Sequence, residues 1–245
     1  MSISDQDRAG TIAPSTTAPF RYAFHHSVPD EFVQLPEPTS SEGWREAMEQ
    51  LLPGASEEER EAASKGLRGP LPLLTDRANV VLTAMCIGTE DVGGEERLSM
   101  GLLAVTVRAS EHSPATRLFT AEGIYQATAQ KVFSGVPERD LQELSFPLGE
   151  GLQGPEDMVL AAKLPCGPAV MTTSLRSIQY PTPEPGLATP PLPMAVLELV
   201  IPAPHSYCVC VTITTPSVFL LDSYSARLAH IGRTFSFGDP PSDPD

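Results

Sequence analysis

Positive charge, cysteine, tryptophan and long apolar runs are all scarce in this sequence, and each scarcity excludes something. The 245 residues carry 16 Lys and Arg against 31 Asp and Glu, a formal charge of -15. Such a balance repels phosphate backbones and anionic lipid, so neither a nucleic acid nor a membrane surface is the expected partner. No apolar run approaches the roughly 20 residues that a helix needs to cross a bilayer, so no membrane insertion is expected. The opening "MSISDQDRAGTIAPSTTAP" has neither a basic n-region nor an apolar h-region, which argues against a signal peptide and for a cytoplasmic protein. Only 4 cysteines are present, and in a chain of this size they are expected to be reduced rather than to staple the fold.

What is abundant is proline, 26 residues, and an apolar fraction of 41%, enough to bury a real core. Residues 1–18 are small, polar and aperiodic and read as a disordered arm. The acidic tail 238–245, "GDPPSDPD", reads the same way, leaving 19–237 as a single domain. The proline-rich "YPTPEPGLATPPLP" (180–193) is read as an extended loop within that domain, because the strands on either side would otherwise lack partners.

Phe20, Tyr22 and Phe24 alternate along a first strand, and "EFVQLP" after Val28-Pro29-Asp30 is expected to be its hairpin partner. Thr39 and Glu42 have capping-box spacing ahead of a helix carrying Trp44, Met48, Leu51 and Leu52, and Pro53-Gly54 ends it. Ser56 and Glu59 repeat the device for a second helix, expected to run unevenly towards Asp76 across Gly66, Gly69, Pro70 and Pro72. "NVVLTAMCIG" and "RLSMGLLAVTVRAS" are apolar on both faces and read as central strands of a hairpin closed by Gly93-Gly94. Ser113-Pro114 starts a helix in which Leu118, Tyr125 and Val132 recur every seven residues.

The second half reads as strands: "LQELSFPL", "DMVLAAKLPCGPAVMTTSL", "MAVLELVIP" and "YCVCVTITT". A closing helix follows, whose Leu221, Tyr224, Leu228, Ile231 and Phe235 step by three and four. This order predicts an α+β fold: an antiparallel sheet covered by helices on both sides, an αβα sandwich.

The segments "WREAMEQLLPGASEEERE", "LPCGPAV" and "YCVCVTITTPSVFLLDSYSARLAHIGRTFSF" carry a resemblance that spans roughly residues 20–237 in order of elements. The layout is similar to the Mog1/PsbP-like fold, and more closely to a group of uncharacterised actinobacterial proteins. The resemblance implies binding or stabilising of other proteins, and none of its motifs is catalytic. Many proteins on that scaffold are exported or lipid-anchored, whereas this sequence shows neither a signal sequence nor a lipobox cysteine.

Several constellations could carry chemistry. Cys208 and Cys210, with His205 upstream, suggest a metal or thiol site. On a regular strand, however, the two sulfurs stand about 6–7 Å apart, too far to share one zinc, and buried small residues are the better reading. "GEGLQG" (149–154) matches the dinucleotide fingerprint by letters alone, because no helix follows to present its N-terminus to a pyrophosphate. His25 and His26 face opposite ways on a strand and cannot easily share an ion with Asp30 and Glu31. Cys166 lies in the turn "LPCGPAV", where Pro165, Gly167 and Pro168 look chosen for backbone shape rather than for a nucleophile, and there is no G-x-S-x-G.

No cofactor or metal is therefore assigned and no enzyme is expected. The reading is a non-enzymatic protein-interaction or scaffold module that binds a protein partner or its own copy. Trp44, Phe219, Leu221, Tyr224 and Leu228 are the candidate contact surface, although Trp44 fits a core position better than a binding platform and the same caution applies to Phe219 and Tyr224. The alternative is a small-molecule carrier with a pocket between the sheet and the C-terminal helix, lined by Leu221, Leu228 and the inward face of the Val209 strand.

Overall fold

The computed structural model describes residues 24–37, 39–68, 79–110, 112–133, 157–178, 192–204 and 206–238. The arm 1–18, Phe20 and Tyr22, the "LQELSFPL" and "GEGLQG" segments, His205 and the tail beyond Gly238 lie outside the described residues. So does most of the proline-rich segment.

Seven strands form one antiparallel sheet in the order β2 (Val33–Gln34), β3 (Val80–Val92), β4 (Glu95–Ala109), β8 (Tyr207–Thr215), β7 (Leu192–Pro202), β6 (Gly167–Ile178) and β5 (Asp157–Leu164). Helices lie on both faces: α1 (Ser41–Leu51), α2 (Glu57–Arg68) and α3 (Arg117–Phe133) on one, α4 (Leu221–Thr234) on the other. This is the α+β sandwich expected from the sequence.

The central strands explain the two-sided apolar segments. On the α4 face, register brings Leu103, Ile213 and Leu197 into one row, Val105, Val211 and Leu199 into the next, and Val107, Val209 and Ile201 into a third. All nine side chains are buried, each contributing roughly 1.5–3 kcal/mol of transfer free energy. Tyr224, Leu228 and Ile231 of α4 close over them. The opposite face is covered in two pieces. α1 and α2 pack Trp44, Met48 and Leu51 against Met85 and Leu102, while α3 lays Ala121 and Ile124 over Val159, Val170, Val200, Cys208 and Cys210.

Local signals explain most boundaries. Ser56 and Glu59 form the reciprocal cap of α2, with Ser56 N–H donating to Glu59 Oε2 at 2.7 Å and Glu59 N–H to Ser56 Oγ at 3.3 Å. The β3–β4 hairpin turns on Gly93 and Gly94, at φ 65° and 87°, the left-handed pair that a tight two-residue turn requires. For α1 the cap is Ser40 rather than Thr39: Ser40 Oγ accepts from Gly43 N–H at 3.3 Å. Helix α2 passes through Gly66 unbroken and is described to Arg68. The "DMVLAAKLPCGPAVMTTSL" run folds back on itself at Pro165-Cys166 as two strands, β5 and β6. Leu192 and Pro193, read as the end of a loop, already belong to β7.

One expectation is overturned. Phe24 and Val33 do not belong to a hairpin: β1 (Phe24–His25) pairs with β9 (Ser236–Phe237), whereas β2 pairs with β3. The reason is packing, because Phe24 joins the core under α4 and Val33 joins the cluster under α1. Between them, residues 24–31 run along one flank of α4. Ser27 N–H donates to Thr234 Oγ1 at 3.0 Å, and two helical turns earlier Arg227 Nε donates to Glu31 Oε1 at 2.7 Å.

Candidate functional site

Of the five residues proposed as a surface, Trp44, Tyr224 and Leu228 are fully buried. They build the core as the structure stands. Trp44 donates its indole N–H to Glu37 O at 3.1 Å and lies under the Arg68 guanidinium, 5.2 Å from its ring centroid. Leu221 is half-buried against the main core, and Phe219 alone is well exposed, at 47%, with the Arg97 guanidinium 5.8 Å from its ring.

Tyr224 anchors a polar network that local sequence did not signal. Its hydroxyl lies 2.9 Å from Ser99 Oγ and 3.7 Å from Cys86 Sγ, and burial pushes its pKa up to about 12. Ser99 donates to Glu90, whose other oxygen accepts from Ser223 Oγ at 2.6 Å. Arg227 completes the array: its Nη2 donates to Glu90 at 2.8 Å, its Nη1 to Ser223 at 3.0 Å, and its guanidinium lies 4.7 Å from the Tyr224 ring centroid. Burial opposes the charge on Glu90, but the hydrogen bonds from Ser223, Ser99 and Arg227 outweigh it and hold this carboxyl below the ordinary carboxylate range. Burial likewise opposes the charge on Glu31, and Arg227 outweighs it. The network spends its polar groups on one another, which is the arrangement of a clasp between α4, the β3–β4 hairpin and the segment ahead of β2.

The thiols are quiet. Cys208 and Cys210 sit on a regular strand beneath α3; burial raises both, Cys210 to about 12, and it raises Cys86 and Cys166 as well. Among the described residues, no group of three or more His, Cys, Asp or Glu side chains is placed to hold a metal ion.

Between the sheet and α4, where a carrier would hold its ligand, the protein packs closely against itself at two glycines. A Cβ on Gly101 would meet Tyr224 Cε1 at 2.5 Å, and one on Gly232 would meet Leu199 Cδ2 at 2.9 Å. The helix thus touches down at two points, each too close for a methyl group. A shallow cleft of about 300 Å³ opens elsewhere, between β2 and α1, with Gln34, Glu46 and Gln50 among its lining residues.

Among the described residues the most exposed large apolar side chains lie on α3 instead. Leu118 is 65% and Phe119 70% exposed. The seven-residue spacing had placed Leu118 on the inward stripe with Tyr125 and Val132. The helix instead buries Ala121 and packs Ile124 and Tyr125 beside it, while the side chain of Val132 lies outside the described residues. Local anchors set this rotation. Arg117 donates through Nε to Pro202 O and through Nη2 to Cys166 O, each at 2.7 Å, and stacks over Phe237 at 5.2 Å. Just upstream, the buried His112 bridges Ser110 Oγ at 2.6 Å and Ala203 O at 2.8 Å, and Ser113 and Thr116 form a reciprocal cap. With Arg117 drawn down onto the sheet, its two successors must point outward.

No protein-family model matches this chain, and comparison with curated proteins finds no match.

Proposed function

We propose that this chain is a non-enzymatic protein-interaction module whose contact surface is centred on Leu118 and Phe119. The observation that carries the reading is the pairing of the two most exposed large apolar side chains among the described residues with an anchored helix start. Single exposed apolar residues are ordinary, but adjacent ones on a pre-organised helix resemble the aromatic and aliphatic anchors of binding hot spots. Burying each under a partner would contribute roughly 1.5–3 kcal/mol. The formal charge of -15 disfavours a second copy at long range and favours a partner with a basic rim. Among the described residues no helix is long and apolar enough to cross a membrane. The low cysteine content and the acidic composition support a cytoplasmic setting with neither nucleic acid nor lipid as partner.

The test is the double variant Leu118→Ser, Phe119→Ser. Both positions are exposed, so folding stability should stay within about 0.5 kcal/mol of the parent. Affinity capture from the native host, paired with light scattering, should show a stoichiometric partner that the parent retains and the variant loses. Equal capture by both proteins would remove this surface from consideration.

A further inference from the structure

Residues 24–31 present a second, independent feature. They run along one flank of α4 as a strap fastened at two ends by different chemistry. At one end His26 stacks on Phe235, with ring centroids 5.6 Å apart and planes 16° apart. Phe24 stacks on the same Phe235 ring at 5.1 Å, and two backbone pairs join β1 to β9. At the other end Glu31 is held by Arg227. The middle is fastened only by Ser27 to Thr234 and by the half-buried Val28.

We propose that this strap is an acid-sensitive latch: closed over α4 at neutral pH, it swings open in mild acid from its His26 end while the Glu31 end holds. The groups facing His26 are Phe24 and His25 on its own segment and Phe235 at the end of α4. Phe237, adjoining Phe235 across β9, carries the Arg117 guanidinium on its ring. Among the described residues no carboxylate is a cause of its shift, and the charge that acts on it is the like-signed one of His25. Half-buried between two aromatic rings, the imidazole is shielded from the water that would solvate its protonated form, and among the described residues it has no counter-ion.

Burial first, and His25 second, therefore hold His26 below its ordinary value of 6.5. The sign follows from linkage. As pH falls through 6.5 the open segment takes up a proton and the closed one does not, so closure weakens until pH passes the lowered value of the closed form. Glu31 behaves oppositely. Arg227 holds its carboxyl below 4.5, so that fastening survives the window in which His26 lets go. Two fastenings with separated pH ranges make a hinged opening rather than general unfolding.

Amide hydrogen exchange of the full chain, corrected for intrinsic rate, would read this at about pH 7.5 and about pH 5. Protection over 24–30 should fall by up to about tenfold per pH unit inside the window, while protection over β8 stays constant. His26→Phe keeps the stack without the titrating nitrogen and should abolish the dependence. A direct NMR titration of the His26 ring in the parent protein should give a midpoint below the ordinary value of 6.5. Constant protection of the strap in the parent, an equal pH response in His26→Phe, or a His26 midpoint at or above 6.5 would each overturn the proposal.

Discussion

Arg227 binds three elements through one guanidinium: Glu31 ahead of β2, Glu90 on β3 and Ser223 one turn back on α4. Its side chain is only 16% exposed, so removing it strands Glu90 among hydroxyls with no counter-charge. Arg227→Met is expected to destabilise the fold by about 1–3 kcal/mol at neutral pH, measured by urea unfolding. Both carboxyls have lowered pKa values in the folded state, so their contribution is present above the ordinary carboxylate range and is lost as pH falls through the lowered values. The gap between parent and variant should accordingly begin to narrow as pH falls below the ordinary carboxylate value of 4.5. A gap that stays constant with pH would mean that packing of the Arg227 stem, not its charge, matters. Nothing in the sequence announces this network, because its members come from positions 31, 90, 99, 223 and 227 and no local period links them. The cysteine pair was legible for the opposite reason. The two-residue spacing that places Cys208 and Cys210 on one face is a property of any strand, and the run of β-branched residues around them names the strand.

At the scale of elements, helices with a clean apolar stripe or a side-chain cap were readable in advance, α4 and α2 above all, as was the two-glycine hairpin. The orientation of α3 was not. Its stripe is weak, and tertiary ties through Arg117 and His112 settle which side faces the sheet. Also hidden in the letters was the way β8 ends. After Pro216, which has no N–H to offer the ladder, Ser217 continues the pairing with its side chain: Oγ accepts from Met100 N–H at 3.1 Å and donates to Leu98 O at 2.9 Å. Thr215 Oγ1 supports it by donating to Met100 O at 2.6 Å and accepting from Ser217 N–H at 2.9 Å. Ser217→Ala leaves two main-chain groups of β4 without partners and should lower stability by about 1–3 kcal/mol, whereas Ser217→Thr, which keeps the hydroxyl, should recover most of it. Chemical denaturation of the two variants side by side decides the matter. Equal loss would indicate that the site rejects any change of shape.

For the molecule as a whole, fold class followed from composition and from the order of periodic segments, because interior strands covered on both sides must be apolar throughout. Strand pairing at the margins did not follow, since β1, β2 and β9 are two residues long and their partners are fixed by what the flanking side chains pack against. The pairing of Phe24 with Phe237 has a topological consequence. The two ends of the described chain lie side by side, so the backbone is nearly a closed loop. A circular permutant that joins these ends through a short glycine-rich linker and opens at Gly93-Gly94 should fold to the parent's circular-dichroism spectrum. The cut falls in an exposed turn, and the new joint converts a fastening of two residues into a covalent one.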